Sequence, residues 1–465
     1  MRPIQLIVTT AAAAVLAATV PVAVDKNSPP QRVLLTTKPG DATFSAARHT
    51  GVGHLSEWSR ETKRQFLIDW QRDRSWEWTI VMGNEGGDLD SMAAAITWAY
   101  HLSHSTANST NRIKAIALLQ TPADALDLRP ENKLALDNSQ MSSGHSDLLT
   151  MNELPEDAET LSKDIKGVVL VDHARPLRKW GDARVLSIFD HHQDKGAAPA
   201  AKPRVFEKVA SCTTLVARQM LDELEALPDE YHVPNELLGL VLSAIAIDSK
   251  GLKSGTEVDR RTAGRLLRRS SWKDSDLDER MQAMDEKLRE AKKDLDGLGV
   301  RDLLRRDWKG DLVDTYSPRT PTVSLGFSSI PYSLDEQITK TGFGELFDWF
   351  AIEAAWTAQV GADISVALNR YKGYDEKGKK KKIRELVLCV RSDVRIDNSQ
   401  ADGLFDTVKR AIESHPELKA RPWHRVNELG ARQMVWYYEG KNAGRKIIRP
   451  IVEAAVEAWD MAAEL

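Results

Sequence analysis

From Trp78 onward, short apolar runs alternate with longer amphipathic ones, the pattern of βαβ units on a parallel sheet. The runs predict strands over 79–83, 113–119, 168–172 and 184–190, and helices over 91–104, 213–224 and 235–247. Upstream, residues 55–73 read as a short helix with Trp58, Phe66, Ile68 and Trp70 as its apolar contacts, and 25–55, with Pro29, Pro30, Pro39 and Gly40, read as linker. The stretch 274–298 is charged, free of proline and helical in period, and reads as a connector. Beyond it, 311–465 mixes strands with helices and includes a hairpin, 364–371 with 384–390; no internal repeat is present. The expected fold is α/β: a parallel-sheet domain over 75–270, a helical connector over 271–300 and a smaller mixed α/β domain over 301–465.

Composition narrows the function classes. Of 465 residues, 42% are hydrophobic and 28% charged, which excludes a disordered tail, a collagen-like fibre and a multi-span membrane protein. Lys+Arg 64 against Asp+Glu 68 gives a net charge of -4, so no global basic field exists and nucleic acid is not an expected partner. Any polyanion must be held by a local cluster. Two cysteines, Cys212 and Cys389, are too few for a disulfide scaffold or a Cys-rich metal site, and they read as buried free thiols. Residues 1–24 begin with Arg2 and an apolar Leu/Val/Ala/Thr run, which resembles a secretory signal. Its length also admits a membrane anchor, against its Ala/Thr content, and a disordered leader fits as well. The segment is left out of the fold reasoning, and the sequon at Asn108 is too common by chance to decide between these readings.

Chemistry gathers where strands end. After the first strand comes Gly83-Asn84-Glu85-Gly86-Gly87-Asp88-Leu89-Asp90-Ser91, a Gly-rich turn with two aspartates at alternate positions. In extended backbone Asp88 and Asp90 would face one way while Leu89 packs inward. On its own such a pair is explained by helix capping. Asp172 follows Gly-Val-Val-Leu-Val, and Asp190-His191-His192 follows Val-Leu-Ser-Ile-Phe. Asp248 ends an apolar helix, where the helix dipole disfavours an acid and no Lys or Arg lies in the ten residues before it. Taken singly, each is a surface turn residue. Together, the carboxyl ends of the strands steer Asp88, Asp90, Asp172, His191 and Asp248 to one rim. Acids so crowded repel unless cations intervene. Hard carboxylate oxygens with one imidazole suit Mn²⁺, Mg²⁺ or a similar divalent ion, and two ions sharing a bridge suit a four-acid set.

This order of residues resembles the DHH phosphoesterase superfamily. Ser211-Cys212-Thr213-Thr214 and the C-terminal half resemble its DHHA2 branch, which holds manganese-dependent pyrophosphatases, fungal-type cytosolic exopolyphosphatases and prune-like proteins; the likeness covers roughly residues 75–465. By position, the resemblance implies Asp88 and Asp172 on a first metal and Asp90, Asp172, His191 and Asp248 on a second, with Asp172 as the bridge. His192 would face the substrate phosphate and Asp190 would orient the histidine pair. Asn84 stands where the pyrophosphatases have His, so the first metal loses a strong nitrogen ligand; exopolyphosphatase-like members resemble this chain here.

Phosphoryl transfer also needs cations on the non-reacting oxygens. Arg306-Asp307-Trp308-Lys309 resembles the DHHA2 segment with a phosphate-binding Lys, here Lys309. Gly444-Arg445-Lys446 matches the Ser-Arg-Lys motif of those domains, with Gly444 for Ser, ahead of a helix running to Glu464 with Pro450 in its first turn. The basic run from Lys377 to Lys382 reads as a solvated tip or as a guide for the tail of a long anion.

The expectation is therefore a metal-dependent exopolyphosphatase using two divalent ions, Mn²⁺ before Mg²⁺ or Co²⁺, whose activated water attacks terminal phosphorus. A pyrophosphatase, a prune-like nucleotide phosphodiesterase and a non-catalytic scaffold are its rivals. The Gly-Gly-Gly-His string of oligonucleotide-cleaving relatives does not occur. The resemblance implies a cytoplasmic monomer without a stable membrane partner, while residues 1–24 leave secretory or vacuolar routing open.

Overall fold

Trp78–Met82 (β1) is buried at every position, which requires a strand covered on both faces. In this computed structural model, which describes residues 53–104, 113–142, 144–225, 233–374, 379–440 and 443–459, it lies at the centre of a six-stranded sheet. The other strands are Lys114–Leu119 (β2), Leu149–Thr150 (β3), Gly167–Val171 (β4), Val185–Asp190 (β5) and Arg204–Phe206 (β6). Their order is β3-β2-β1-β4-β5-β6, and every pairing is parallel. The α/β class is as expected. The segment 1–24, the linker through residue 52, Asn108, and Lys377 and Gly378 of the basic run lie outside the described residues.

The chain leaves β1 towards β2 and returns to β4 on β1's other side. A crevice therefore opens between the carboxyl ends of β1 and β4, the place where such sheets bind ligands. Register sets Met82 beside Leu170, so the turn after β1 and Asp172 after β4 are neighbours. Alternate residues of β1 feed two cores. Ile80 and Met82 pack with Phe66 and Trp180 on one face, and Val81 packs on the other with the helices Leu89–His104, Cys212–Glu225 and Asn235–Ser249.

Three boundaries depart from expectation. The two-residue β3 and the half-buried β6 carry too little periodicity to be seen in the sequence. Within the connector the helix is Leu277–Lys293, shorter at both ends than 274–298, and a further helix, Val300–Arg306, opens the second half. The first of these buries Met281, Met284 and Leu288 in the core of the first sheet.

The second sheet holds Lys309–Asp314 (β7), Thr322–Ile330 (β8), Ile364–Tyr374 (β9), Lys380–Val390 (β10), Arg421–Pro422 (β11) and Gln433–Tyr437 (β12). Its order is β11-β12-β10-β9-β8-β7, with β8 and β9 parallel and the other pairs antiparallel. Helices Asn398–Ser414 and Arg445–Glu457 cover one face; Val300–Arg306, Leu334–Thr339 and Leu346–Val360 cover the other. The hairpin is longer than expected. Lys380 to Lys382 are strand residues paired with Tyr374 to Lys372, not part of a tip. Pro450 sits inside the helix Arg445–Glu457 rather than in its first turn. Among the described residues no helix is long and apolar enough to cross a membrane.

Candidate metal and phosphate site

Asp172 follows the last residue of β4 with φ of 61°, a left-handed conformation that Asp tolerates better than most residues. Its amide donates to the Phe189 carbonyl at 2.9 Å and to Cys212 Sγ at 3.2 Å. Oδ2 accepts from Ser91 Oγ at 2.7 Å and from Asn84 Nδ2 at 2.6 Å. Oδ1 is buried and has no hydrogen-bond partner among the described residues. It lies 3.2 Å from His191 Nε2, and His191 Nδ1 sits 3.2 Å from the Val209 carbonyl. With its ring charged, His191 donates from Nδ1 to that carbonyl and turns the Nε2 proton towards Oδ1. A divalent ion would take that proton's place between nitrogen and carboxylate, and the carboxylate–imidazole donor set suits one.

Burial works against charge on His191, but Asp172 and the nearby Asp90 outweigh it and push its pKa up to about 9. His192 stands edge-on to His191 and is partly exposed. Its Nδ1 lies 2.7 Å from Asp190 Oδ1, so the buried Asp190 fixes the ring's orientation. Donor atoms of Asp172, His191 and His192 lie within 4.8 Å of one another. His192 Nδ1 lies 3.8 Å from Asp172 Oδ1, so it is grouped with the other two donors while bonded to Asp190.

Of the two aspartates after β1, Asp90 is helical rather than extended. The helix starts at Leu89; Asp88 caps it, with Oδ1 accepting from Ser91 N at 3.1 Å, and Asp90 lies in the first turn. Asp90 is also bound by the start of the helix Cys212–Glu225. Its Oδ1 accepts from Ser211 Oγ, Thr213 N and Thr213 Oγ1, and Oδ2 accepts from Cys212 N. Oδ2 remains 4.0 Å from His191 Nε2. Burial first, then the charge of Asp172, push Asp90 up to about 6. Helix-end amides therefore hold Asp90, while side chains alone hold Asp172.

Asn84 is also spoken for. Its amide nitrogen goes to Asp172, and its Oδ1 accepts from Gly86 N at 2.8 Å and Lys309 Nζ at 2.9 Å. It links the bridging acid to a cation of the second half instead of presenting a free oxygen. A Cβ on Gly86 would come within 2.6 Å of Lys309 Cε, so the lysine lies against the turn where only glycine leaves room. Gly87, at φ of 55°, completes that turn.

A cavity of about 200 Å³ opens beside this centre. Acids Asp88, Glu131, Asp248 and Asp307 and cations Arg129, Lys292, Lys309 and Arg445 line it. Asp248 is surface-accessible through the cavity, yet desolvation and the charges of Asp90 and Asp88 hold its pKa well above the usual carboxylate range. Its expected compensation comes from downstream: Lys292 lies across the cavity, and Arg289 Nη2 donates to the Ile247 carbonyl at 2.9 Å. Lys446, next to Arg445, is exposed and is not among the lining residues.

Sequence reasoning missed Arg129, Glu131, Lys292 and Asp307. Glu131 is 1% exposed and lies 3.3 Å from Lys292, 3.5 Å from Arg306 and 3.8 Å from Arg129. Arg129 and Glu131 flank the start of a helix after β2 and carried no motif; Asp307 lay inside a quoted string from which only Lys309 was drawn.

A parallel sheet with acids at its switch point, beside a second mixed sheet that supplies cations, is an arrangement shared with phosphoesterases. Residues 78–245 match the DHH family, N-terminal domain, and residues 286–455 match the DHHA2 domain. The chain is 31% identical over 420 residues to "Putative exopolyphosphatase" of Schizosaccharomyces pombe, covering 87% of this chain and 98% of that one. It is 24% identical to "Exopolyphosphatase PRUNE1" of Rattus norvegicus over 82% of this chain and 76% of that protein. Against "Manganese-dependent inorganic pyrophosphatase" of Bacillus subtilis it is 25% identical, over 40% of this chain and 52% of the relative. The chain belongs to the DHH phosphoesterase family, in its DHHA2 branch, and is a hydrolase.

Proposed function

We propose that the protein is an exopolyphosphatase that removes terminal phosphate from inorganic polyphosphate with the help of two divalent ions, Mn²⁺ foremost. The observation that carries this reading is the 200 Å³ cavity in which Asp88 and Asp248 of the first half face Lys309 and Arg445 of the second. The likeness to exopolyphosphatases over most of the chain supports it. Asp172 would be shared between the ions, with Asp88 on one side and Asp90, His191 and Asp248 on the other. Bound there, such ions acidify water and screen phosphate charge. Lys309 and Arg445 bind the non-bridging oxygens of the terminal phosphate. His192, oriented by Asp190, would donate to a phosphate oxygen. Asn84 keeps Asp172 and Lys309 in register, so an acid and its opposing cation are set by one amide.

Pyrophosphatase activity is the second reading, favoured by the manganese-dependent relatives and disfavoured by an amide at position 84. We assign 75–270 to metal binding, 271–300 to the connection and 301–465 to substrate binding, in a monomer whose cytoplasmic location rests on family likeness. Phosphate release from long polyphosphate and from pyrophosphate, each with Mn²⁺, Mg²⁺ and Co²⁺, tests the proposal. Faster release from polyphosphate and about two ions per chain by elemental analysis are expected. Release from pyrophosphate alone, or a chain that retains no metal, would refute it.

A further inference from the structure

Asp307 is an acid in the wall of a site proposed to bind phosphate, where its charge repels the ligand. Its bonds suggest why it is there. Arg445 gives it three hydrogen bonds: Nη1 to the backbone carbonyl at 2.9 Å, and Nη2 to Oδ1 at 3.0 Å and to Oδ2 at 3.1 Å. From the first half, Arg129 Nη2 donates to the same Oδ1 at 3.1 Å and to the Gly86 carbonyl at 2.6 Å. Arg129 is itself buried, so this chain of bonds is fixed to the turn after β1. Without the Asp307 carboxylate, two guanidinium groups would face each other across the gap and Arg445 would keep only its bond to the residue-307 backbone carbonyl.

We propose that Asp307 is a positioning residue that ties Arg129 of the DHH half to Arg445 of the DHHA2 half and thereby fixes the Arg445 guanidinium at the phosphate cavity. This rests on the phosphate reading of that cavity. The acid's two possible effects have opposite signs. If it only balanced charge, removing it would strengthen anion binding. If it positions Arg445, removing it weakens binding, because an arginine no longer held in place must be ordered by the ligand.

The test uses the metal-loaded full chain and imidodiphosphate, a non-hydrolysable phosphoanhydride, with binding read by calorimetry. Asp307→Asn is expected to bind about tenfold more weakly, the scale of one charge-assisted contact. In an Arg445→Ala background the same change is expected to add less than about twofold, since the two residues act as a unit. Should Asp307→Asn not fold, Asp307→Glu serves instead: it keeps the charge, displaces the carboxylate and is expected to weaken binding also. Tighter or unchanged binding by either variant, or a full second tenfold loss in the double variant, overturns the inference alone. A wild-type protein that binds no imidodiphosphate overturns the phosphate reading and this inference with it.

Discussion

In the first half, acids come from a shared architectural cause. Asp172 follows β4, Asp190 ends β5, and Asp88 and Asp90 open the helix after β1, so parallel strands deliver them to one rim. The cations come one per element: Lys309 from the start of β7 and Arg445 from a helix start in the second half, and Lys292 from the helix Leu277–Lys293 that packs with the first. The first arrangement is a property of the fold. The second depends on how two sheets meet, and its cations are held by acids: Lys292 by Glu131, and Arg445 by Asp307. Burial and mutual repulsion leave Asp90 and Asp248 with raised pKa values, whereas Lys292 and Arg445 already have acid partners and Lys309 rests on the neutral Asn84 amide oxygen.

That contrast can be broken at several points. The largest effect is expected at Asp172→Ala, which should lower phosphate release by roughly 10³-fold or more while circular dichroism shows an intact fold. Activity within about tenfold of wild type would mean that this carboxylate is not shared between ions. Next comes the claim that the helix Leu277–Lys293 belongs to the first half. Met284→Ala should destabilise the protein by about 2–5 kcal/mol in denaturant unfolding, the usual range for truncating a buried Met. A loss under about 0.5 kcal/mol would make the helix a loose connector.

Gly86→Ala would set a methyl group against Lys309 Cε. It should raise KM about tenfold through one lost charge-assisted bond, with metal content unchanged. If metal content fell as well, the turn would serve the acids as much as the cation. The smallest effect is expected at Lys446→Ala. Because Lys446 is exposed and does not line the cavity, KM should shift by less than about twofold. A change as large as that for Lys309 would show that the helix start moves inward on binding.

Much of the first half was legible in the sequence because its signals are local. β1 and β4 are short, largely apolar runs, with Asp172 directly after β4 and the turn that carries Asn84, Asp88 and Asp90 directly after β1. The backbone state at Asp90 was misjudged, since a helix beginning two residues earlier, at Leu89 rather than Ser91, changes which groups cap it and which point inward. Asp248's partner was sought upstream, while Lys292 and Arg289 lie downstream on a packed neighbour. Arg129 and Glu131 were invisible for the same reason: only tertiary packing brings them to the cavity. The bonds that tie Asn84 to both Asp172 and Lys309 span 88 and 225 residues, beyond any local pattern.

The placement of Met281, Met284 and Leu288 decides where this polypeptide could be cut in two. A cut at residue 270 would strip a lid from the hydrophobic interior beneath it and leave a sticky, aggregation-prone fragment. Separation of the halves into soluble pieces should succeed only in the short stretch between Lys293 and Val300, where one helix has ended and the next has yet to start.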